Sequence, residues 1–130
     1  NDDVHMEAVN EDGASLSMDG TPDIGGMNLG FRPMQMLLAA AGGCSSIDII
    51  GILKKQRQKL NDFKVETTGE RVSLGDYTEF KTIHLHYILS GELDEQKVQK
   101  AIDLSLNKYC SVTKTLEKTA SITSSFEIRE

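Results

Sequence analysis

Two cysteines, Cys44 and Cys110, are the residues of this chain best suited to chemistry. Cys44 lies in "MLLAAAGGCSSIDIIGIL" (Met36 to Leu53), behind three alanines and two glycines. Glycine costs about 1 kcal/mol relative to alanine inside a helix, so a pair of them there marks a close approach to that backbone or that sulfur. Cys110 lies in "NKYCSV", just ahead of Ser111, a residue suited to capping a short helix. A thiol at a helix N-terminus gains from the dipole and from free N–H groups, both of which favour the thiolate. The chemistry open to such a pair, once the fold brings it together, is peroxide reduction. One thiolate attacks a peroxide oxygen and becomes a sulfenic acid, the second thiol condenses with it to a disulfide, and an external dithiol resets the pair. Met34, Met36 and Leu37 offer an adaptable apolar entrance, which favours organic hydroperoxides over hydrogen peroxide. The plainer reading of the same residues is packing, since free cysteine is among the most buried residue types.

Other clusters carry less. His84 and His86 in "HLH" share a strand face, and with the two cysteines they would make a tetrahedral zinc set, but no C-x-x-C or H-x-x-x-H spacing supports one. "ELDEQK" lacks the alternating ligands of a calcium loop. "DIGGMNLG" has no following lysine and no strand leading in, as a phosphate loop requires. No metal and no cofactor is expected.

The elements that must position the thiols follow from the pattern. Residues 3–18 read as a hairpin turning at "NEDG". A loop over 19–32 holds four of the eleven glycines, and Pro33 then opens a helix expected to run to about residue 59. The first two-thirds of that helix are apolar or small on every face, so it should be buried all round. "DFKVETTGERVS" and "TEFKTIHLHYILSG" read as strands, the second with Ile83, Leu85, Tyr87 and Leu89 on one face. Asp94 is the expected N-cap of a second helix with Val98, Ala101, Ile102 and Leu106 inward, and "SITSSFEIR" is a last strand. Strands in adjacent pairs predict antiparallel pairing and an α+β fold in a single domain, residues 1–130. One small sheet cannot cover a helix that is apolar all round, which predicts an obligate homodimer.

At 130 residues and a net charge of −6, with no tryptophan, the chain lacks the clustered Lys/Arg of a nucleic-acid footprint. "KKQRQK" reads as the cationic end of a helix. The apolar run is interrupted by Gly42, Gly43, Ser45, Ser46 and Asp48, so no membrane span is expected, and the acidic N-terminus is no signal peptide. A cytoplasmic setting is the expectation for two thiols that do not form a disulfide scaffold.

"RPMQMLLAAAGGCSSIDIIGILKK", with "FKVETTGER", "FKTIHLHYILSG" and "AIDLSLNKYCSVTKTLEK", resembles the OsmC/Ohr superfamily, within it the branch of OsmC-like proteins akin to the YhfA group. The resemblance implies antiparallel sheets around two long central helices in an intertwined homodimer with active sites at the interface. It implies thiol-dependent reduction of organic hydroperoxides, with Cys44 matching the peroxidatic cysteine and Cys110 the resolving one. The family holds its reactive thiolate with an arginine–glutamate salt bridge. Here Pro33 is followed by Met34 and Gln35, and residues 1–31 contain no Arg or Lys. Arg32 is the nearest cation in sequence, Gln35 is placed to orient it or the substrate, and Arg71 is a second candidate if a partner subunit delivers it. A dithiol reductant is implied. The competing reading is a non-catalytic module that holds a small apolar ligand.

Overall fold

The computed structural model describes residues 3–129. Two compact units divide the chain, one running to Leu37 and the other from Leu38 onward.

In the first unit, β1 (Met6–Val9) and β2 (Ser15–Met18) pair antiparallel, with Met6 opposite Met18. The Asn10 side chain closes the turn by accepting from the N–H groups of Asp12 and Ala14. The glycine-rich loop that follows is organised by Asp19, whose buried carboxylate accepts from the N–H groups of Gly20, Met27 and Leu29. The anion gathered by this loop is therefore the chain's own side chain. A Cβ on Gly26 would fall 1.9 Å from the Gly20 carbonyl oxygen, so only glycine permits this loop to fold on itself.

Helix α1 (Pro33–Lys55) starts at proline, as expected. Gln35 Oε1 accepts the Arg32 N–H at 3.0 Å, which is half of a capping box. The helix ends four residues earlier than the sequence pattern predicts. Arg57 adopts a left-handed φ of 58°, its N–H donates to the Lys54 carbonyl, and the Gln58 N–H donates to the Leu53 carbonyl. That is a Schellman termination, which glycine usually marks; here an arginine fills the position and hides the stop.

In the second unit, β3 (Lys59–Ser73) and β4 (Thr78–Glu92) form a long antiparallel hairpin. Strand β5 (Ser121–Arg129) then joins β4 in parallel, giving the order β3-β4-β5. The expectation of antiparallel pairing thus holds for two of the three pairs of neighbours in the chain's sheets. The third differs because α2 (Glu95–Leu104) and α3 (Ser111–Leu116) intervene and return the chain to the end from which β4 starts. Ile83, Leu85, Tyr87 and Leu89 project from β4 fully buried. Ala41, Ser45, Ile49 and Leu53, one turn apart along α1, are buried with them, as are Val98, Ala101 and Ile102 of α2. A Cβ on Gly42 would sit 2.7 Å from Thr67 Oγ1 and 3.3 Å from Val65 Cγ1, so this glycine lets α1 lie against β3. Asp94 caps α2 by accepting from the N–H groups of Gln96 and Lys97, which accounts for the acidic run around it.

Burial of α1 is confined to one stripe within the chain. Ile47 is 74% exposed and Ile50 42%, and a Cβ on Gly43 or Gly51 would meet nothing within 4 Å. By length and composition alone α1 is apolar enough to cross a bilayer, a property it shares with core helices of globular proteins.

Candidate functional site

The two thiols are positioned by different devices. Cys44 rides on α1, half-buried, and Asp48 follows one helical turn later on the same flank. Cys110 depends on a break in regularity. After α2 the chain makes a π turn over Ser105–Tyr109, closed by the Cys110 N–H donating to the Ser105 carbonyl at 2.7 Å. Such turns insert an extra residue into a helix and recur at functional sites. Ser105 lies on the same face as Val98, Ala101 and Ile102 and is fully buried, while Leu106, expected to face inward, is half-buried. Cys110 itself caps α3, one residue earlier than the Ser111 cap expected from the sequence. Its Sγ accepts the Thr113 N–H at 3.4 Å, and Thr113 Oγ1 donates to its carbonyl at 3.2 Å.

These devices converge. Cys44 Sγ, Cys110 Sγ and a carboxylate oxygen of Asp48 all lie within 4.8 Å of one another. Both cysteines are free thiols, Cys110 fully buried and Cys44 more accessible. Ser105 Oγ lies 3.2 Å from Asp48 Oδ2 and 3.2 Å from the Ser45 carbonyl, tying the π turn to α1. Below them Tyr87 donates to Ser45 Oγ at 2.7 Å, and Ser45 Oγ donates to the Ala41 carbonyl at 2.9 Å. A groove of about 520 Å³, lined by Ile47, Asp48, Gly51, Ile52, Lys55, Leu104 and Tyr109, opens beside the cluster.

Burial pushes the Cys110 thiol above its ordinary value, and the adjacent Cys44 sulfur pushes it the same way, against the hydrogen bonds from Thr113. Burial likewise pushes the Tyr87 phenol up to about 12, with Cys110 and Asp48 adding to the effect over the opposing bond to Ser45. The helix-terminus advantage expected for Cys110 is thus outweighed by desolvation. Among the described residues Asp48 forms no ion pair with a lysine or arginine. Chemically, two thiols whose sulfurs lie within 4.8 Å of each other can pass between dithiol and disulfide.

The remaining candidates are distributed as follows. Arg32 and Gln35 are both half-buried at the start of α1, where the Gln35 side chain is engaged as a cap. Met34 and Met36 are half-buried in the first turns, and Leu37 is 39% exposed. Arg71 is exposed on β3, its guanidinium 3.4 Å from Thr78 Oγ1 across the hairpin. His84 and His86 project from the other face of β4, opposite to Tyr87, and bond Thr123, Ser125 and Glu127 of β5. They share no site with the cysteines. Sequence reasoning missed Asp48, Ser105 and Tyr87. Only Asp48 carried a readable signal: a carboxylate inside an apolar helix, four residues after a cysteine.

Known proteins share the sequence pattern and the fold of this chain. A sequence profile described as OsmC-like protein matches residues 25–125. Protein YhfA of Escherichia coli K12 is 47% identical over 97 residues, covering 74% of this chain and 72% of YhfA. A crystal structure of a hypothetical protein from Aquifex aeolicus VF5 superposes with a TM-score of 0.74 at 30% identity, covering 96% of this chain and 94% of that one. An organic hydroperoxide resistance protein OsmC from Legionella pneumophila shares the fold, with a TM-score of 0.72 at 14% identity over 95% of this chain and 96% of that one. With more than three quarters of its length and both cysteine segments inside the matched region, the chain belongs to the OsmC-like protein family.

Proposed function

We propose that this protein reduces organic hydroperoxides through its two thiols, in one OsmC-like domain formed by both units. The single observation that carries the reading is the meeting of Cys44 and Cys110, distant in sequence, in one cluster. The Legionella pneumophila relative, described as an organic hydroperoxide resistance protein, supports the same chemistry by analogy. Cys44, the more accessible sulfur, attacks the terminal peroxide oxygen: its S–O bond forms, the O–O bond breaks, and an alcohol leaves. Cys110, kept as a thiol by burial, then attacks the Cys44 sulfenic acid, forming the disulfide and releasing water. A dithiol reductant restores both thiols. The open face of α1 is where a second copy docks, and the protein works as a homodimer in the cytoplasm.

The test is mass spectrometry of the reduced protein after cumene hydroperoxide. The expected product is an intramolecular disulfide, absent in Cys44→Ser and replaced by a trapped sulfenic acid on Cys44 in Cys110→Ser. Wild-type thiols unchanged at excess hydroperoxide would overturn the reading. A second reading, a binding module for a small apolar ligand, is favoured by one observation: the carboxylate of Asp48 lies within 4.8 Å of both sulfurs. Ligand retention without thiol oxidation would support it.

A further inference from the structure

We propose that Cys44, Asp48 and Cys110 form a binding site for one thiophilic divalent cation of the Zn²⁺ class. The inference does not depend on the hydroperoxide chemistry. It starts from charge: two sulfurs and a carboxylate are held together in a partly desolvated cluster, and no lysine or arginine among the described residues pairs with the carboxylate. Lys55 lines the groove beside Asp48 without forming an ion pair with it, and Tyr109 is the other titratable group lining that groove. A carboxylate with no neutralising partner beside two sulfurs that become thiolates on ligation is what a cation recognises, and sulfur ligands select a soft or borderline one.

The geometry suits a tetrahedral ion. Zinc–sulfur bonds of about 2.3 Å put two sulfurs about 3.8 Å apart around one centre. The three donor atoms here already lie within 4.8 Å of one another, so at most about 1 Å of side-chain rotation closes the site. Three protein ligands leave the fourth position for water or another small ligand. The surrounding shell is in place as well. Ser105 Oγ lies 3.2 Å from Asp48 Oδ2, which orients the carboxylate, and Thr113 holds Cys110 by its N–H and hydroxyl. Binding displaces the proton of each ligating thiol to solvent, and occupancy withdraws both thiols from attack on any electrophile until a chelator removes the ion.

The experiment is titration of the reduced, metal-free protein with Co²⁺ under argon. The expected result is one Co²⁺ per chain, with a thiolate-to-cobalt charge-transfer band and the intense visible bands of a tetrahedral site. Asp48→Asn is nearly isosteric and keeps an oxygen to accept from Ser105, so the variant folds. It should retain the charge-transfer band while binding about 10-fold or more weakly, and Ser105→Ala should weaken binding about 10-fold. Cys110→Ser should lose half or more of the charge-transfer intensity. No thiolate band at saturating Co²⁺, or Asp48→Asn binding as tightly as the wild type, would overturn the site. Either failure leaves disulfide formation in the metal-free protein untouched, so the two proposals fall separately.

Discussion

Tyr87 and Cys110 set the behaviour of the site under alkali. Both titrate above their ordinary values in the folded chain, chiefly through burial, so both contribute stability while protonated. That stability is complete below their unfolded values, about 8.5 for the thiol and 10 for the phenol, and is lost as pH rises through the folded ones. The urea midpoint should therefore decline from about pH 9 and fall further between about 10 and 12. Cys110→Ser should remove the first decline and Tyr87→Phe the second; a midpoint flat across that range in the wild type would contradict both shifts. At neutral pH, Tyr87→Phe should cost only about 1 kcal/mol, because Ser45 keeps its own bond to the Ala41 carbonyl. These roles were only partly legible beforehand. The two cysteines announced themselves by type, and Asp48 by its charge in an apolar run. Ser105 and Tyr87 look like ordinary helix and strand residues until the packing of α2 and the β4 pleat brings them to the cluster.

Elements show where local patterning suffices and where it is overridden. The inward row of β4 and the Asp94 cap follow directly from alternation and side-chain chemistry, and both are as the sequence predicts. The end of α1 was hidden because its left-handed residue is Arg57, whose side chain gives no stop signal. An L-residue in that conformation stores roughly 1 kcal/mol, so Arg57→Gly should stabilise the chain by about 0.5–1 kcal/mol in urea unfolding. The glycine pair before Cys44 divides in the same physical terms. At Gly42 a methyl group would press on Thr67 Oγ1, and Gly42→Ala should destabilise by about 1–3 kcal/mol despite its helix propensity. Gly43 meets open space within the chain, so no contact of the chain's own calls for glycine there.

The proposed homodimer supplies a reason at the scale of the assembly. Along α1 the exposed face carries Gly43, Ile47, Ile50 and Gly51, with Ile47 74% exposed in a helix whose other stripe is fully buried. A large branched apolar side chain left in water forgoes about 2 kcal/mol of transfer free energy, and a row of them flanked by glycines is shaped for a close helix–helix contact. A second copy of the same helix would fill the open space at both glycines and cover both isoleucines at once. The expected outcome in sedimentation at micromolar concentration is a particle of two chains. Ile47→Glu, which buries an unpaired charge only if a partner covers it, should yield a single chain with its secondary structure kept. Gly43→Ala separates packing from propensity: it should weaken the dimer while leaving a dissociated chain as stable as before, or up to about 1 kcal/mol more so. A wild type that sediments as one chain would remove the explanation for both glycine and isoleucine. The sequence could show that α1 is apolar on every face, but which face meets the sheet and which is left for a partner is fixed only by the packing of Gly42 on β3.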